Sequence, residues 1–451
     1  MFLRFQRLTL AAFGLLATAC SHPTPTETAA SNATSAAALL TPGPWRGELA
    51  MQGQTLPFLF EVKTEAGKPV VYLINKGLNG EERLRCDEIS AAGDSATIRL
   101  HVFDAALVVR ADGKGKLKGA WVKYDAKGPY RVPLVATAGI QPLFSGADTK
   151  DAASFAGIWK ATFDWDTKDR YPAVGVIQQK GTDVVGTFLT STGDYRYLSG
   201  SALGGALCLS TFDGSHAFLF VAKKEPRIKI TPIPNPKTGL PHAFSESAYN
   251  GDLYGDFYSG KSGHEYWNAT LDPKASLPDA DTLTYLKKGE SRLNFKFPSI
   301  VQEASISPTD AKYRGKVVVV QILGSWCPNC MDETRFLAPW YQQNRSRGVE
   351  VIGLGYERMP EYEPAAQRLR LLKQRLGVGY DLAVAGVSNK DSVARSLPQL
   401  AKFLAFPTTI FLDKKGVVRS IHTGFAGPGT GKYYEEEQAH FNRTVDKLLR
   451  E

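Results

Sequence analysis

Long apolar runs are absent from this 451-residue chain after its first twenty residues, so no later segment is predicted to span a membrane. Basic residues are not clustered either, because the formal net charge of +9 is spread along the sequence without a run of five Lys or Arg. These charges are expected to be solvated surface, and no nucleic-acid partner is predicted. Cysteine and histidine are scarce, at five and seven residues. The histidines are scattered and none extends a cysteine pair into a zinc pattern, so no metal is predicted.

The first twenty residues have the pattern of a secretory signal. Arg4 and Arg7 form a positive region, residues 8–17 are short and mostly apolar, and small residues lead to Cys20. This segment resembles a bacterial lipoprotein signal, which implies that Cys20 is lipidated and anchors the mature protein to a membrane. Ala17 stands where that family usually has Leu, and an ordinary cleaved signal with an incidental Cys20 is the alternative. Ser21 after the cysteine implies, in that family, the outer membrane rather than the inner one.

Composition divides the remainder into regions. Residues 21–42 are Thr, Ala, Ser and Pro with few large apolar groups, and are predicted to form a flexible tether. Between Trp45 and about Leu271, runs rich in β-branched and aromatic residues alternate with Gly, Asp and Asn turns, which predicts an all-β region. Residues 272–290, with several prolines in or near them, are the predicted linker.

The all-β region contains a repeat, with predicted copies at 43–142 and 152–271. The matching segments are 45–49 with 159–163, 103–104 with 212–213, and 117–121 with 253–257. Each copy is predicted to be a small antiparallel sandwich or barrel, with a proline-rich insertion in the second. Cys86 and Cys208 fall at non-equivalent points of the two copies. They are expected to be buried thiols, with a bridge between the copies as the alternative.

Strand and helix patterns alternate in residues 291–451, which predicts an α/β domain. Residues 317–323 form a continuous apolar run of the kind that is buried on both faces of a sheet. The other predicted elements are a helix at 328–343, a strand at 349–354, a helix at 365–376, a strand pair at 408–412 and 417–422, and a final helix at 433–449.

The motif from Cys327 to Cys330 lies between that buried strand and the following helix. Two intervening residues bring both sulfurs within bonding reach across the first helical turn. Cys327 would then sit at the helix N-terminus, where free N–H groups and the helix dipole favour the thiolate. Pro328 suits the first helical position because it has no N–H. A structural disulfide is the alternative, but the short loop and the strand-to-helix corner favour redox chemistry, with Cys327 attacking and Cys330 resolving.

Here the chain resembles the thioredoxin superfamily, and within it the membrane-tethered disulfide reductases of bacterial envelopes related to the cytochrome-c-maturation thioredoxins. The resemblance covers about 160 residues and rests on 297–298, 315–320, the 326–330 motif, Glu333 and 406–409. It implies a thioredoxin fold whose only redox group is the Cys327–Cys330 disulfide, with no other cofactor. Pro407 matches the family's cis-proline, and with Trp326 and Phe406 it is expected to contact substrate.

Three further residues qualify the resemblance. Glu333 matches an acid that in the relatives assists proton movement at the buried thiol, and a solvated helix glutamate is the alternative. Gln321 stands where cytosolic thioredoxins have a buried Asp, so the proton acceptor for Cys330 is expected to be Glu333 or water. Arg335 replaces a proline that is usual in the relatives.

The predicted function is therefore a membrane-anchored disulfide reductase facing the periplasm. Its expected partners are disulfide-bearing envelope proteins and an upstream thiol reductant. The alternatives are a binding lipoprotein in which the β repeats carry the main role, and a thioredoxin-fold peroxidase. No nucleotide partner is predicted, because Ala426 and Tyr433 replace the Gly and the Ser or Thr that a phosphate-binding loop would need around Lys432.

Overall fold

The computed structural model describes residues 39–124, 128–145, 153–224, 228–234, 241–248, 252–301 and 303–451, and the side chains of 228–248 are not described. The predicted signal, Cys20 and nearly all of the predicted tether lie outside the described residues. Within the described ranges, no helix has the length and apolar character needed to cross a membrane.

The first β region is one antiparallel sheet of nine strands in the order β4-β3-β2-β1-β9-β8-β7-β6-β5. Strands that are consecutive in the chain are neighbours, with the exception of β4 and β5, and the last strand pairs with the first. Strands β4 and β5 are therefore the two edges of this sheet. The strands are β1 (Gly43–Met51), β2 (Gln54–Glu65), β3 (Lys68–Gly77), β4 (Gly80–Cys86), β5 (Ile89–Ala92), β6 (Ser95–Arg99), β7 (Ala105–Ala111), β8 (Lys116–Lys123) and β9 (Tyr130–Ala138).

The second β region is a closed barrel. Its nine-stranded sheet has the order β11-β10-β20-β19-β16-β15-β14-β12-β13, and an additional β11–β12 pairing closes the ring. Large aromatic side chains fill its interior, among them Phe163, Phe188, Phe220 and Trp267. The strands of the sheet are β10 (Gly157–Phe163), β11 (Tyr171–Lys180), β12 (Asp183–Thr190), β13 (Gly193–Asp194), β14 (Leu198–Leu203), β15 (Ala206–Phe212), β16 (Ala217–Lys223), β19 (Leu253–Ser259) and β20 (Gly263–Leu271), and the region also contains the separate pair β17 (Ile228–Pro234) and β18 (Pro241–Ala248).

The predicted class, two antiparallel barrel-like repeats, is confirmed. Two of the three pairs of matching segments lie in strands, β1 with β10 and β8 with β19, whereas residues 103–104 lie in the turn before β7 and residues 212–213 at the end of β15. Trp45 lies in β1 and Trp159 in β10, and each indole N–H donates to a backbone carbonyl four residues earlier, at 2.9 Å. The insertion predicted in the second copy contains the separate β17–β18 hairpin. The copies differ in closure, since only the second is a ring.

The two β regions share a core. Phe212, at the end of β15, is buried among side chains of the first region, with its ring centroid 4.6 Å from that of Phe58 and 5.3 Å from that of Trp121. The Trp121 indole N–H donates to the Gly214 carbonyl at 3.2 Å. The tip of the β15–β16 hairpin thus fills part of the open first sheet, and the first region lacks this part of its core on its own.

The C-terminal domain has a five-stranded sheet in the order β26-β25-β24-β28-β29. Strands β25 and β26 run parallel to β24, and β28 and β29 complete the other edge in antiparallel pairs. The strands are β21 (Tyr285–Leu286), β22 (Phe297–Pro298), β23 (Ser305–Ile306), β24 (Val317–Leu323), β25 (Val349–Glu357), β26 (Asp381–Val387), β27 (Leu400–Lys402), β28 (Thr408–Leu412) and β29 (Val418–Thr423). The α-helices are α1 (Pro328–Asn344), α2 (Tyr362–Leu376), α3 (Lys390–Ser396) and α4 (Lys432–Arg450), and 3-10 turns lie at Ala280–Thr282, Ala311–Tyr313, Arg345–Arg347 and Pro428–Thr430.

Side chains of β24 alternate between two cores. Val317 and Val319 belong to the core that contains residues of α1, α2 and α4, whereas Val318 and Val320 belong to the core that contains residues of α3. Every residue of β24 is buried, which explains why all of them except Gln321 are apolar. The predicted α/β fold is confirmed. Strand β26 and the short helix α3 had no counterpart among the predicted elements.

Candidate active site

A disulfide joins Cys327 and Cys330 at the start of α1, with their Cα atoms 5.2 Å apart. Cys327 is the N-cap residue, its sulfur accepts the Cys330 backbone N–H at 3.2 Å, and Pro328 occupies the first turn. Cys327 is 6% exposed and Cys330 is fully buried. The outer sulfur is therefore the one that a substrate can reach.

The end of strand β25 holds the loop before these cysteines. The Trp326 indole N–H donates to the Tyr356 carbonyl at 2.8 Å. The buried carboxylate of Glu357 accepts the Ser325 backbone N–H at 2.8 Å and the Ser325 hydroxyl at 2.7 Å. Burial raises the pKa of Glu357, and these two hydrogen bonds oppose that shift. The Tyr356 carbonyl and the Glu357 carboxylate thus fix the two residues before Cys327, and with them the position of the outer cysteine.

The predicted substrate-contacting residues come together beside Cys327. The Phe406–Pro407 peptide bond is cis, and the Phe406 carbonyl oxygen lies 3.8 Å from the Cys327 sulfur. The Phe406 ring packs edge-on against Trp326, with centroids 5.5 Å apart. Their contact with substrate stays a prediction.

Glu333 is buried below the disulfide, so the alternative of a solvated helix glutamate is wrong. Its carboxylate accepts a hydrogen bond from the Gln321 amide at 2.7 Å and another from the Thr409 hydroxyl. Gln321 also donates to the Thr334 hydroxyl, which donates to the Cys330 carbonyl at 2.7 Å. Burial raises the pKa of Glu333 to about 7. A carboxyl group that titrates near neutrality can accept and return a proton, which is the property predicted for this residue.

The barrel of the second β region forms the other wall of this site, which the sequence had not indicated. The Ser215 hydroxyl donates to the Trp326 carbonyl at 2.9 Å, and the Asn329 side-chain amide donates to the Asp194 carbonyl at 3.1 Å. Gly193 packs so closely that an added Cβ would lie 2.5 Å from the Asn329 amide nitrogen. Between barrel and domain lies a cleft of about 590 Å³. Its lining includes Asp169, Tyr171, Thr192, Tyr195, His216, Phe218, Trp326, Cys327, Lys390 and Phe406.

A buried ionic cluster joins all three folded regions at this place. Arg196 of the barrel binds both carboxylate oxygens of Asp332 in α1, at 2.7 and 2.8 Å. It also contacts Glu82 of the first β region at 2.6 Å and Asp213 at 3.2 Å. Burial raises the pKa of Asp332, and the Arg196 guanidinium opposes that shift. Asp332 and Glu82 each lie more than a hundred positions from Arg196, so no local pattern could have revealed the cluster.

Arg335 stands where the relatives usually have a proline, and its side chain contacts the first β region. It donates to Glu82 at 2.8 Å and to the ring nitrogen of His101 at 3.3 Å. Burial lowers the pKa of His101 to about 4, so its imidazole is neutral at pH 7 and can accept. Met331 of the same helix is fully buried in the core of the first β region. The active-site helix therefore packs on both β regions.

Two of the scattered histidines meet where the linker packs against β29 and α4. His422 lies between Asp281 of the linker at 2.7 Å and Glu437 at 2.9 Å, and His440 lies 3.3 Å from Asp281. Burial lowers the pKa of His422, but the two carboxylates outweigh it and raise the pKa to about 10. The arrangement ties the linker to β29 and α4 as an ion-pair cluster.

Cys86 and Cys208 are free thiols, so the alternative of a bridge between the copies is wrong. Cys86 is buried at the end of β4, and burial raises the pKa of its thiol to about 12. Cys208 is partly exposed, so the expectation of a buried thiol is wrong for this residue, although partial burial still raises the pKa of its thiol. Their thiols are consequently protonated at neutral pH.

The sheet order, the Cys-x-x-Cys pair at the start of a helix and the facing cis-proline define the C-terminal domain as a thioredoxin-fold domain of the thiol–disulfide oxidoreductase class. Residues 287–437 match the Redoxin family, which makes this part of the chain a Redoxin domain of the thioredoxin superfamily.

Two named relatives are similar to about a quarter of the chain. The Thiol:disulfide interchange protein DsbE of Pasteurella multocida is 29% identical over 111 residues, which cover 25% of this chain and 52% of that protein. The Thiol-disulfide oxidoreductase ResA of Geobacillus kaustophilus is 27% identical over 112 residues, covering 25% and 57%. The chain thus spans little more than half the length of these relatives. A crystal structure of a putative DsbE from Chlorobium tepidum matches 36% of this chain and 99% of its own, at 17% identity and a TM-score of 0.28.

Proposed function

We propose that this protein is a membrane-anchored thiol–disulfide oxidoreductase of the bacterial envelope that reduces disulfides in other envelope proteins. The observation that carries the proposal is the Cys327–Cys330 disulfide at the N-terminus of α1, with its outer sulfur beside the cis Phe406–Pro407 bond and open to a cleft. The similarity to proteins named thiol:disulfide interchange protein and thiol-disulfide oxidoreductase supports the same chemistry.

The reaction transfers two electrons from the dithiol form of this pair to a substrate disulfide. The Cys327 thiolate attacks one substrate sulfur, forming a mixed disulfide and releasing the other substrate sulfur, which takes up a proton. The Cys330 thiol then loses its proton and attacks the Cys327 sulfur. This step re-forms the Cys327–Cys330 disulfide and releases the second substrate thiolate. An upstream thiol reductant returns the pair to the dithiol form, and no other cofactor is needed.

Each remaining site residue has a place in this cycle. Glu333 takes the proton of Cys330 through the polar groups around it, because its pKa of about 7 suits transfer near neutral pH. Trp326, Phe406 and Pro407 hold the substrate segment beside Cys327. Lipidation of Cys20, with the tether after it, would keep the domain at the periplasmic face of a membrane, the outer membrane in preference to the inner one.

The test uses two single substitutions in the full chain. Cys327→Ser should abolish reduction of a disulfide substrate, because the attacking thiolate is lost. Cys330→Ala should retain its substrate as a mixed disulfide, visible as an adduct on non-reducing gels and by mass spectrometry. The proposal fails if Cys327→Ser keeps the activity of the parent, or if Cys330→Ala traps no thiol-linked adduct. Cys208→Ser is the matched control, because this thiol lies away from the cleft.

A further inference from the structure

The approach to Cys327 is bounded on one side by the protein's own barrel. Tyr171, Tyr195, His216 and Phe218 of the barrel line the same cleft as Trp326 and Cys327. Cys327 is only 6% exposed, and that exposed part faces this cleft. Whatever reaches the sulfur must therefore fit between the two walls.

The barrel wall is held in place by strong contacts. Arg196 and Asp332 form a bidentate, fully buried ion pair across the interface. The Gly427 backbone N–H donates to the buried Asp194 carboxylate at 2.8 Å, and Asp194 also accepts from Asn329 through its carbonyl. Separation of the walls would leave these buried charges without partners, which is strongly unfavourable. The width of the cleft is a fixed property of the native state.

The volume of the cleft suits a small or extended occupant. A volume of about 590 Å³ lies within the range of pockets that enclose a small ligand, about 300–1,000 Å³. An extended chain advances by only about 3.3–3.6 Å per residue, so a short stretch of unfolded polypeptide fits such a space. A disulfide on the surface of a folded domain brings its neighbouring surface with it, and the barrel wall stands where that surface would have to lie.

The chemistry of the walls favours a peptide with apolar side chains next to its cysteine. The Tyr195 ring packs edge-on against Phe218, and the Tyr171 and Tyr195 hydroxyls are 2.8 Å apart. Aromatic surfaces with polar tips bind apolar side chains while retaining polar contacts for a backbone. The Phe406 carbonyl beside Cys327 adds a backbone acceptor on the opposite wall.

Resting on the proposed function, we propose that the second barrel is a specificity wall that admits disulfides carried on extended, unfolded chain segments and excludes those in folded domains. Both walls then bind one substrate, and the barrel's His216 and Phe218 belong to the substrate site as much as Trp326 and Phe406 do.

The test measures how fast the full-length protein reduces each of three disulfide substrates. They are a small folded protein with a surface disulfide, an unfolded peptide that copies the sequence around that disulfide, and hydroxyethyl disulfide as a probe without a chain. The rate for each substrate is divided by the rate at which dithiothreitol reduces the same disulfide, which removes differences in intrinsic reducibility. The peptide should exceed the folded protein in kcat/KM by about tenfold or more, because only the peptide can be positioned against Cys327.

A cleft-filling variant makes the test specific. Thr192 is exposed at the rim of the barrel wall, and Thr192→Trp should lower kcat/KM for the peptide by about tenfold more than it lowers the rate with hydroxyethyl disulfide. Ser262→Trp, in an exposed turn of the same barrel outside the cleft lining, is the matched control and should change neither rate.

The outcomes separate two failures. Equal normalised rates for folded and unfolded substrates, or an unchanged peptide rate in Thr192→Trp, would overturn the specificity wall. Reduction of hydroxyethyl disulfide alone would overturn it too, by assigning the cleft to small disulfides. A wild-type protein that reduces none of the three contradicts the proposed function itself.

Discussion

Glu333 has the most informative titration at the residue scale. Burial raises its pKa from 4.5 to about 7, so between these values the folded protein holds a proton that the unfolded chain has lost. Stability must then fall as pH rises from about 4.5 to 7 and stay level above, since the state that binds more protons is disfavoured by rising pH. The shift corresponds to about 3 kcal/mol.

Glu333→Gln removes this titration while keeping the shape of the side chain. We expect the free energy of unfolding of the variant, relative to wild type, to increase by about 2.5 kcal/mol between pH 5 and pH 8. Urea denaturation at the two pH values measures it. Glu436→Gln, on the exposed face of α4, is the control and should show no such trend. A parallel pH dependence in Glu333→Gln and wild type would refute the assignment.

Residues whose chemistry is local were predictable from the sequence. Cys327, Pro328 and Cys330 identify their site by spacing alone, because helix geometry converts spacing into position. Arg196 and Ser215 were not predictable, since each meets its partner across more than a hundred residues and neither lies in a recognisable motif. The role of Gln321 was only partly predictable. The sequence showed that it replaces the buried Asp of cytosolic thioredoxins, but not that it donates a hydrogen bond to Glu333.

At the scale of elements, helix α1 belongs to two cores. Its residues Phe336 and Leu337 pack in the redox domain, whereas Met331 is fully buried in the core of the first β region. The sequence indicated the helix but not its second face, because one methionine does not change the apolar periodicity. Strand β26 was not predicted because Ala383, Ala385 and Gly386 interrupt its larger apolar residues, and α3 was not predicted because it has only seven residues.

Met331→Ala should therefore destabilise the β region as well as the helix. We expect a loss of about 2–5 kcal/mol from the removed side chain and the cavity left behind. Hydrogen exchange should accelerate in β2 and in the β15–β16 hairpin, which share this core. Met359→Ala, at a half-buried position after β25, serves as the comparison and should cost much less. If exchange rises only within α1, Met331 does not support the β core.

At the scale of the whole molecule, one arginine holds three regions together. Arg196→Met would leave Asp332, Glu82 and Asp213 buried without their common counter-charge, which should cost about 3–5 kcal/mol. Thermal unfolding and limited proteolysis between residues 272 and 290 measure the loss. Arg347→Met breaks an exposed pair with Asp446 and should cost less than about 1 kcal/mol. Equal effects of the two substitutions would mean that the cluster does not join the regions.

The general architecture could be predicted because repeats and alternating patterns are properties of sequence. The packing of the three regions could not, since it depends on surfaces that become adjacent only after each region has folded. The open first sheet and the closed barrel have a similar succession of strands. They differ in pairing, because β4 and β5 remain edges in the first sheet, whereas a β11–β12 pairing closes the barrel.

The position of Met331 also bears on how the chain is made. A polypeptide leaves the ribosome from its N-terminus, so the first nine strands emerge long before the helix that completes their interior. Until that helix has been made, the core of the first β region lacks the Met331 side chain, and the apolar surface that Met331 covers is open to water or to another chain. A shortened protein that ends before residue 328 should consequently aggregate or require a chaperone, although every strand of its sheet is present.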